Sequence, residues 1–265
     1  MIFKYFLKSI LSNRSLWGWG VIFMLFWLML GVFVFSSSVP VTAALSYVSS
    51  YYGIISLFSF STIAISISYT LYYGSSSLAY SFRYTKLTAS TYFLSLLGAS
   101  SIMAIVMSTI MLAATSGLSS WKFGANLFPY QPLAALAISA IAGAFMMVLA
   151  MGLVLIVINY AGLKNITFIG FVPLVLSYVF GFGQLYTKIP EALEYVSPFT
   201  AISSLLYASY GGFKIPKVFI DPSQGTLNPW LLLVSLIVWL LVLSAIDTQL
   251  LRRIRARAIE EARQV

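Results

Sequence analysis

Between Trp17 and Ile246 the chain reads as six long apolar runs, and hardly a charge falls inside any of them. Each run is long enough to cross the hydrocarbon core of a bilayer, which takes ~20 helical residues. Charged residues make up only 8% of the chain, against ~25% in an average soluble domain. Six such spans use about half of the 265 residues. The remainder is too short and too apolar for a separate soluble domain. The expectation is therefore one all-α integral membrane domain over residues 1–265.

The spans are expected at about 16–35, 51–73, 92–115, 132–159, 166–186 and 229–246. Ahead of them, residues 1–15 are amphipathic. Ile2, Phe3, Phe6, Leu7 and Ile10 share one helical face, and Lys4, Lys8 and Ser15 share the other. That pattern suits an interfacial helix lying in the headgroup region, with a short lead-in to the first span as the plainer alternative. The apolar run from Leu16 to Phe35 exceeds the ~7–15 residues of a signal-peptide core, so an uncleaved first span is expected. Gly74 and Ser75-Ser76-Ser77 are expected to interrupt the second span, and Gly117, Trp121, Lys122 and Pro129 to form the loop after the third. Gly170, Pro173, Gly181 and Gly183 should break up the fifth. The stretch from Pro198 to Tyr210 is too short to cross and too apolar for water. It predicts re-entrant outer helices between spans five and six.

Charge sets the orientation. With both termini cytoplasmic, the inner loops and ends hold Lys4, Lys8, Arg14, Arg83, Lys86, Lys164, Arg252, Arg253, Arg255, Arg257 and Arg263, and the outer ones Lys122, Lys188, Lys214 and Lys217. That is 11 basic residues against 4, as the positive-inside rule requires of a multi-pass protein in a cell membrane. Glu191, Glu194 and Asp221 nearly neutralise the outer group. The basic residues sit beside spans and form no continuous stripe, which argues against nucleic acid as a partner. The tail 247–265 is a basic cytoplasmic segment suited to anionic membrane lipids or to a partner protein.

Two constellations could carry function. In span two Ser59, Thr62, Ser66, Tyr69 and Tyr73 follow the i, i+3, i+4 spacing of one helical face. Such a hydroxyl stripe could line a substrate path, or it could let helices approach and hydrogen-bond across the gap. In the inner stretch 75–91, Arg83 and Lys86 stand among Phe82, Tyr84 and Leu87, with Ser77 placed to cap a short helix. This reads either as a positive-inside anchor or as a docking helix for a cytoplasmic partner.

Elimination narrows the chemistry. The chain has no histidine and no cysteine, which excludes a serine–histidine dyad, thiolate catalysis and metal sites built on either residue. No G-x-x-x-x-G-K-[ST] loop is present to cradle nucleotide phosphates. Spans two to five carry no acid or base of the kind ion-coupled carriers use. No catalytic residue, metal site or bound cofactor is expected, and the chain reads as one that moves or holds something while another protein supplies the energy.

The layout resembles the ABC-2 type permeases, the membrane subunits of type V ABC exporters. An interfacial helix (Met1 to Ser12) precedes six spans, a cytoplasmic segment joins spans two and three, and outer helices join spans five and six. The most specific local match is the basic stretch from Phe82-Arg83-Tyr84-Thr85-Lys86-Leu87 through Thr88-Ala89-Ser90-Thr91-Tyr92-Phe93-Leu94, with Gly98 following. Ser197-Pro198-Phe199 is similar to the family's proline-containing entry into its outer helices. The acidic–glycine pair often found before the basic stretch is missing. The resemblance implies a dimer with a second permease, identical or different, docked on two separate ABC ATPase subunits that bind ATP and magnesium. It makes Ser77, Phe82, Arg83, Tyr84 and Lys86 the coupling helix, with Ser59, Thr62, Ser66, Tyr69 and Tyr73 as the substrate path. The rival reading is a non-transporting membrane scaffold or a lipid-interacting subunit of a larger complex.

Overall fold

The computed structural model describes residues 2–161 and 166–254. Lys164 and the tail residues Arg255, Arg257 and Arg263 lie outside the described residues. Six helices are long and apolar enough to cross a membrane, over Arg14–Phe35, Val41–Tyr84, Ala89–Phe123, Pro132–Ala161, Thr167–Tyr186 and Pro229–Arg252. The chain is a multi-pass membrane protein.

Helix α1 (Ile2–Leu11) precedes the first span. Asn13 separates the two: its Oδ1 accepts from the backbone N–H groups of Ser15 and Leu16 and so caps the new helix. Trp17 Nε1 reaches back to the Leu11 carbonyl at 2.7 Å and ties the corner. Lys4 and Lys8 are exposed, while Phe6 packs edge-on against Tyr92 of a later helix, with ring centroids 5.1 Å apart. The amphipathic face therefore rests on protein.

Span one is a continuous rod of α2 (Arg14–Trp17), a π turn (Gly18–Ile22), α3 (Phe23–Leu30) and a second π turn (Gly31–Phe35). Both π turns begin at glycine and both meet α4 (Ala44–Tyr84). Ser59 donates to the Gly20 carbonyl at 2.5 Å, and the Tyr47 hydroxyl donates to the Gly31 carbonyl at 2.8 Å. A Cβ on Gly20 would overlap Thr62, and one on Gly31 would overlap the Tyr51 ring. Close approach and irregular helix turns thus coincide, and α4 supplies the hydrogen bonds.

Helix α4 has 41 residues, or about 60 Å at ~1.5 Å per residue, twice the ~30 Å hydrocarbon core. The expected break at Gly74 and Ser75-Ser76-Ser77 does not occur, and Ser77 caps nothing because it lies inside the helix. Ser75 donates to the Tyr72 carbonyl and Ser81 to that of Ser77. These hydroxyls serve their own helix and offer the backbone no competing turn. The helix stops at Thr85, which is extended, and Thr88 caps α5 (Ala89–Phe123) by accepting from Thr91 N–H.

Helix α5 also outruns its expectation. It passes through Gly117 and includes Trp121 and Lys122, ending at Gly124 in the left-handed conformation, φ 63°. Helix α6 (Pro132–Ile156) packs closely on α5 at Gly143, where a Cβ would stand 2.7 Å from the Ser100 carbonyl oxygen. A third π turn, Val157–Ala161, extends α6. Helix α7 (Thr167–Tyr186) is unbroken despite Gly170, Pro173, Gly181 and Gly183. Gly170 and Gly181 seat it against Ser68 and Phe58 of α4, and a packed membrane helix tolerates an internal proline.

Beyond α7 come α8 (Glu191–Val196) and α9 (Pro198–Gly211), the latter buried along almost its full length. Gln184, at the end of α7, pins α9 from beneath. Its Nε2 donates to Ser204 at 2.5 Å and its Oε1 accepts from Ser203 at 2.9 Å. A two-residue antiparallel pairing of β1 (Ile215–Pro216) with β2 (Thr226–Leu227) departs from a purely helical chain. The last span, α10 (Pro229–Arg252), runs past residue 246 and packs on α6 and α9.

Gly143→Ala is expected to destabilise the bundle by about 1–3 kcal/mol through overpacking against α5. Gly117→Ala, which meets nothing within 4 Å, should leave the melting temperature in detergent micelles unchanged or raised. Equal behaviour of the two variants would contradict the packing described here.

Candidate functional site

The hydroxyl stripe of α4 divides between two roles. Thr62, Ser66 and Tyr69 face a groove of about 500 Å³ walled by the first turns of span one and by Phe171 and Leu174 of α7. Ser59 does not reach it, because that side chain is fully buried behind Gly20. Tyr73 lies past the groove, 45% exposed, and stacks on Tyr69 with centroids 6.1 Å apart. Thr62 donates to the Ser59 carbonyl, and Ser66 accepts from Asn13 Nδ2 at 2.7 Å. Hydroxyl packing therefore accounts for Ser59 and largely for Thr62, whereas Ser66 and Tyr69 present polar surface to the groove.

The second candidate is the tip where α4 turns into α5. Phe82 packs edge-on against Tyr92, 5.9 Å between centroids, and holds the turn together. Arg83, Tyr84 and Lys86 are exposed, and so is Ser77 on the same helix end. Tyr80 and Tyr84 pair at 4.5 Å, forming an aromatic ledge beside the cations. Among the described residues the one ion pair is Lys217 Nζ with Glu191 Oε2 at 2.9 Å, so neither Arg83 nor Lys86 meets a carboxylate. The tip offers positive charge and aromatic surface, with no acid paired to it among the described residues.

Residues that the sequence reading did not single out also matter. Asn13 links span one to Ser66, and its signal was an amide just ahead of a long apolar run. Asp247 lies inside α10, wholly buried, with neither carboxyl oxygen hydrogen-bonded. It fits there because Gly152 of α6 faces it: a Cβ on that glycine would stand 2.8 Å from Oδ1. The extra helical turn of α10 carries this acid into the bundle. Asp247→Asn keeps the shape and removes the buried acid, so it should hold or raise the melting temperature in micelles. Asp247→Lys should lower it.

At the opposite end, the region between α7 and α10 holds Glu191 and Glu194. The Lys217 ammonium, hydrogen-bonded to Glu191, holds that carboxyl below its usual range. Glu194 is fully buried with both oxygens unpartnered. Burial pushes its titration upward, and the nearby Lys217 charge only partly offsets this. The folded chain then holds the Glu194 proton more tightly than the unfolded chain does. Stability therefore falls as pH rises above the free-glutamate value of 4.5. Glu194→Gln should be more heat-stable than the parent chain near about pH 7, with the difference closing near about pH 4. A difference independent of pH would refute this.

The chain matches no model of a known protein family and no curated protein.

Proposed function

We propose that this chain is the permease subunit of an ATP-driven ABC exporter of the ABC-2 type. It forms a substrate path across a cell membrane, and a separate ATPase subunit binds ATP and magnesium and supplies the energy. The observation that carries this reading is the α4–α5 tip. It is a rigid extension of two long membrane helices, basic and aromatic, with Arg83 and Lys86 unpaired among the described residues. In this reading Ser77, Phe82, Arg83, Tyr84 and Lys86 are the coupling surface, and the end of the unbroken α4 takes the place of a separate short helix. Both termini and the tip face the cytoplasm, in keeping with the positive-inside distribution.

The groove beside Thr62, Ser66 and Tyr69 is the substrate route, with Ser59 and Tyr73 flanking it. Helices α8 and α9 are re-entrant elements that close the outer end of the path. Helix α9 is buried in protein along almost its full length, as a non-spanning helix at membrane depth must be. A second permease, the same chain or a different one, completes the conduit.

Purification under mild conditions should bring down an ATPase. Arg83→Glu should reduce coupled hydrolysis by about tenfold, as expected when one interface anchor is lost, and Phe82→Ala should loosen the tip and weaken coupling as well. A complex without an ATPase would favour the scaffold reading. Transport by the isolated chain in vesicles without ATP would point to a secondary carrier.

A further inference from the structure

The groove between span one, α4 and α7 is graded in polarity along its depth. Span one and α7 start at the end of the bundle where α4 finishes, so position along each helix reads as depth. Asn13, Ser15 and Thr70 lie at the mouth, with Ser66 and Tyr69 just above them. Phe23, Met24 and Leu174 form the deeper wall together with Thr62, whose hydroxyl is bonded back to the Ser59 carbonyl of its own helix. Among the described residues no charged side chain lines the groove. Arg14, exposed between Asn13 and Ser15, stands next to the mouth.

The hydrogen-bonding capacity at the mouth is partly engaged and partly open. Asn13 Oδ1 already accepts two backbone N–H groups, and Thr70 donates to the Ser66 carbonyl at 2.8 Å. The Ser15 and Tyr69 hydroxyls have no partner among the described residues. The groove opens sideways between helices, since Trp19, Phe23 and Phe171 on its rim are all exposed. Its volume of about 500 Å³ falls in the ~300–1,000 Å³ range of small-molecule sites.

We propose that this groove binds one amphiphile of phospholipid type, drawn from the membrane leaflet on the side of the chain termini. The headgroup lies against the Ser15 and Tyr69 hydroxyls beside the Arg14 guanidinium. One acyl chain lies along Phe23, Met24 and Leu174. Three observations select this occupant over a helix from a second copy. The polarity runs from wet mouth to dry floor in the same sense as a lipid in that leaflet. Trp19, a residue type favoured at membrane interfaces, sits on the rim near the mouth. The exposed Arg14, adjacent in sequence to the mouth residues Asn13 and Ser15 and in no ion pair among the described residues, brings a cation to that end of the groove to complement an anionic phosphate. As a binding site the groove stands on this geometry alone. That the bound amphiphile is also the transported species rests on the exporter reading.

The test is native mass spectrometry of the full chain purified in detergent, titrated with palmitoyl-oleoyl phosphatidylglycerol and, separately, with the matching phosphatidylcholine. The chain should retain one phosphatidylglycerol. Leu174→Trp, which fills the floor, should weaken retention by about tenfold. Val242→Trp, on the exposed face of α10, should leave retention unchanged and serves as the control for loosely attached lipid. Arg14→Gln should bring the two lipids toward equal affinity. Equal retention by the parent chain and Leu174→Trp overturns the proposal. So does a lipid-free dimer as the sole species, which would assign the groove to a second copy. Lipid bound in the groove of a chain that engages no ATPase would sink the exporter reading and leave the site standing.

Discussion

Helix α4 organises this bundle, and it can do so because its side chains are small where neighbours approach and many of its hydroxyls bond back to its own backbone. It packs against α5, α6, α7, α9 and span one. Within a bilayer no hydrophobic gain rewards helix association, so close van der Waals contact and hydrogen bonds must supply the attraction. Serine meets both needs. Ser49, Ser50, Ser61 and Ser75 donate to carbonyls of their own helix and show neighbours little but a methylene. Ser59 and Tyr47 reach out to carbonyls of span one at its π turns, and Tyr52 pairs with Ser108 of α5 at 2.9 Å. Glycine on the facing helices completes the fit, at Gly20 and Gly31 of span one and at Gly170 and Gly181 of α7.

The same chemistry explains which features could be read from sequence. The six spans were legible because a charge-free run of this length has few other structures available to it. Their ends were not, since Gly74, Ser75-Ser76-Ser77, Gly117 and Pro173 are breakers in water and were weighed as such. In a bundle where hydroxyls bond back to their own helix and neighbours hold the backbone, they break nothing. Periodicity put Thr62, Ser66 and Tyr69 on one face. It could not separate Ser59, which serves packing, because the difference lies in the distant glycine at position 20. Nor could it assemble the groove, whose walls come from residues 13–24 and 171–174. Asp247 was hidden for a simpler reason: the apolar run ends at Ile246, and only the extra turn of α10 makes the next residue internal.

The charges are sorted between the two ends of the molecule. At the α4–α5 tip Arg83 and Lys86 meet no carboxylate among the described residues, and the aromatic ledge of Tyr80 and Tyr84 lies next to them. At the other end Lys217 is engaged by Glu191 while Glu194 is buried. The tip therefore carries exposed cations in no ion pair among the described residues, whereas the other end holds the one described ion pair and a buried acid.

The uninterrupted course of α4 has a mechanical consequence. A rod without a joint transmits a push along its axis instead of absorbing it in a bend. Tyr84 stands at one extremity, and near the other Ser46 holds the Tyr207 hydroxyl of α9 at 3.1 Å. In the proposed exporter, force applied at the first would reach the second as displacement along α4, with no joint between them to absorb it.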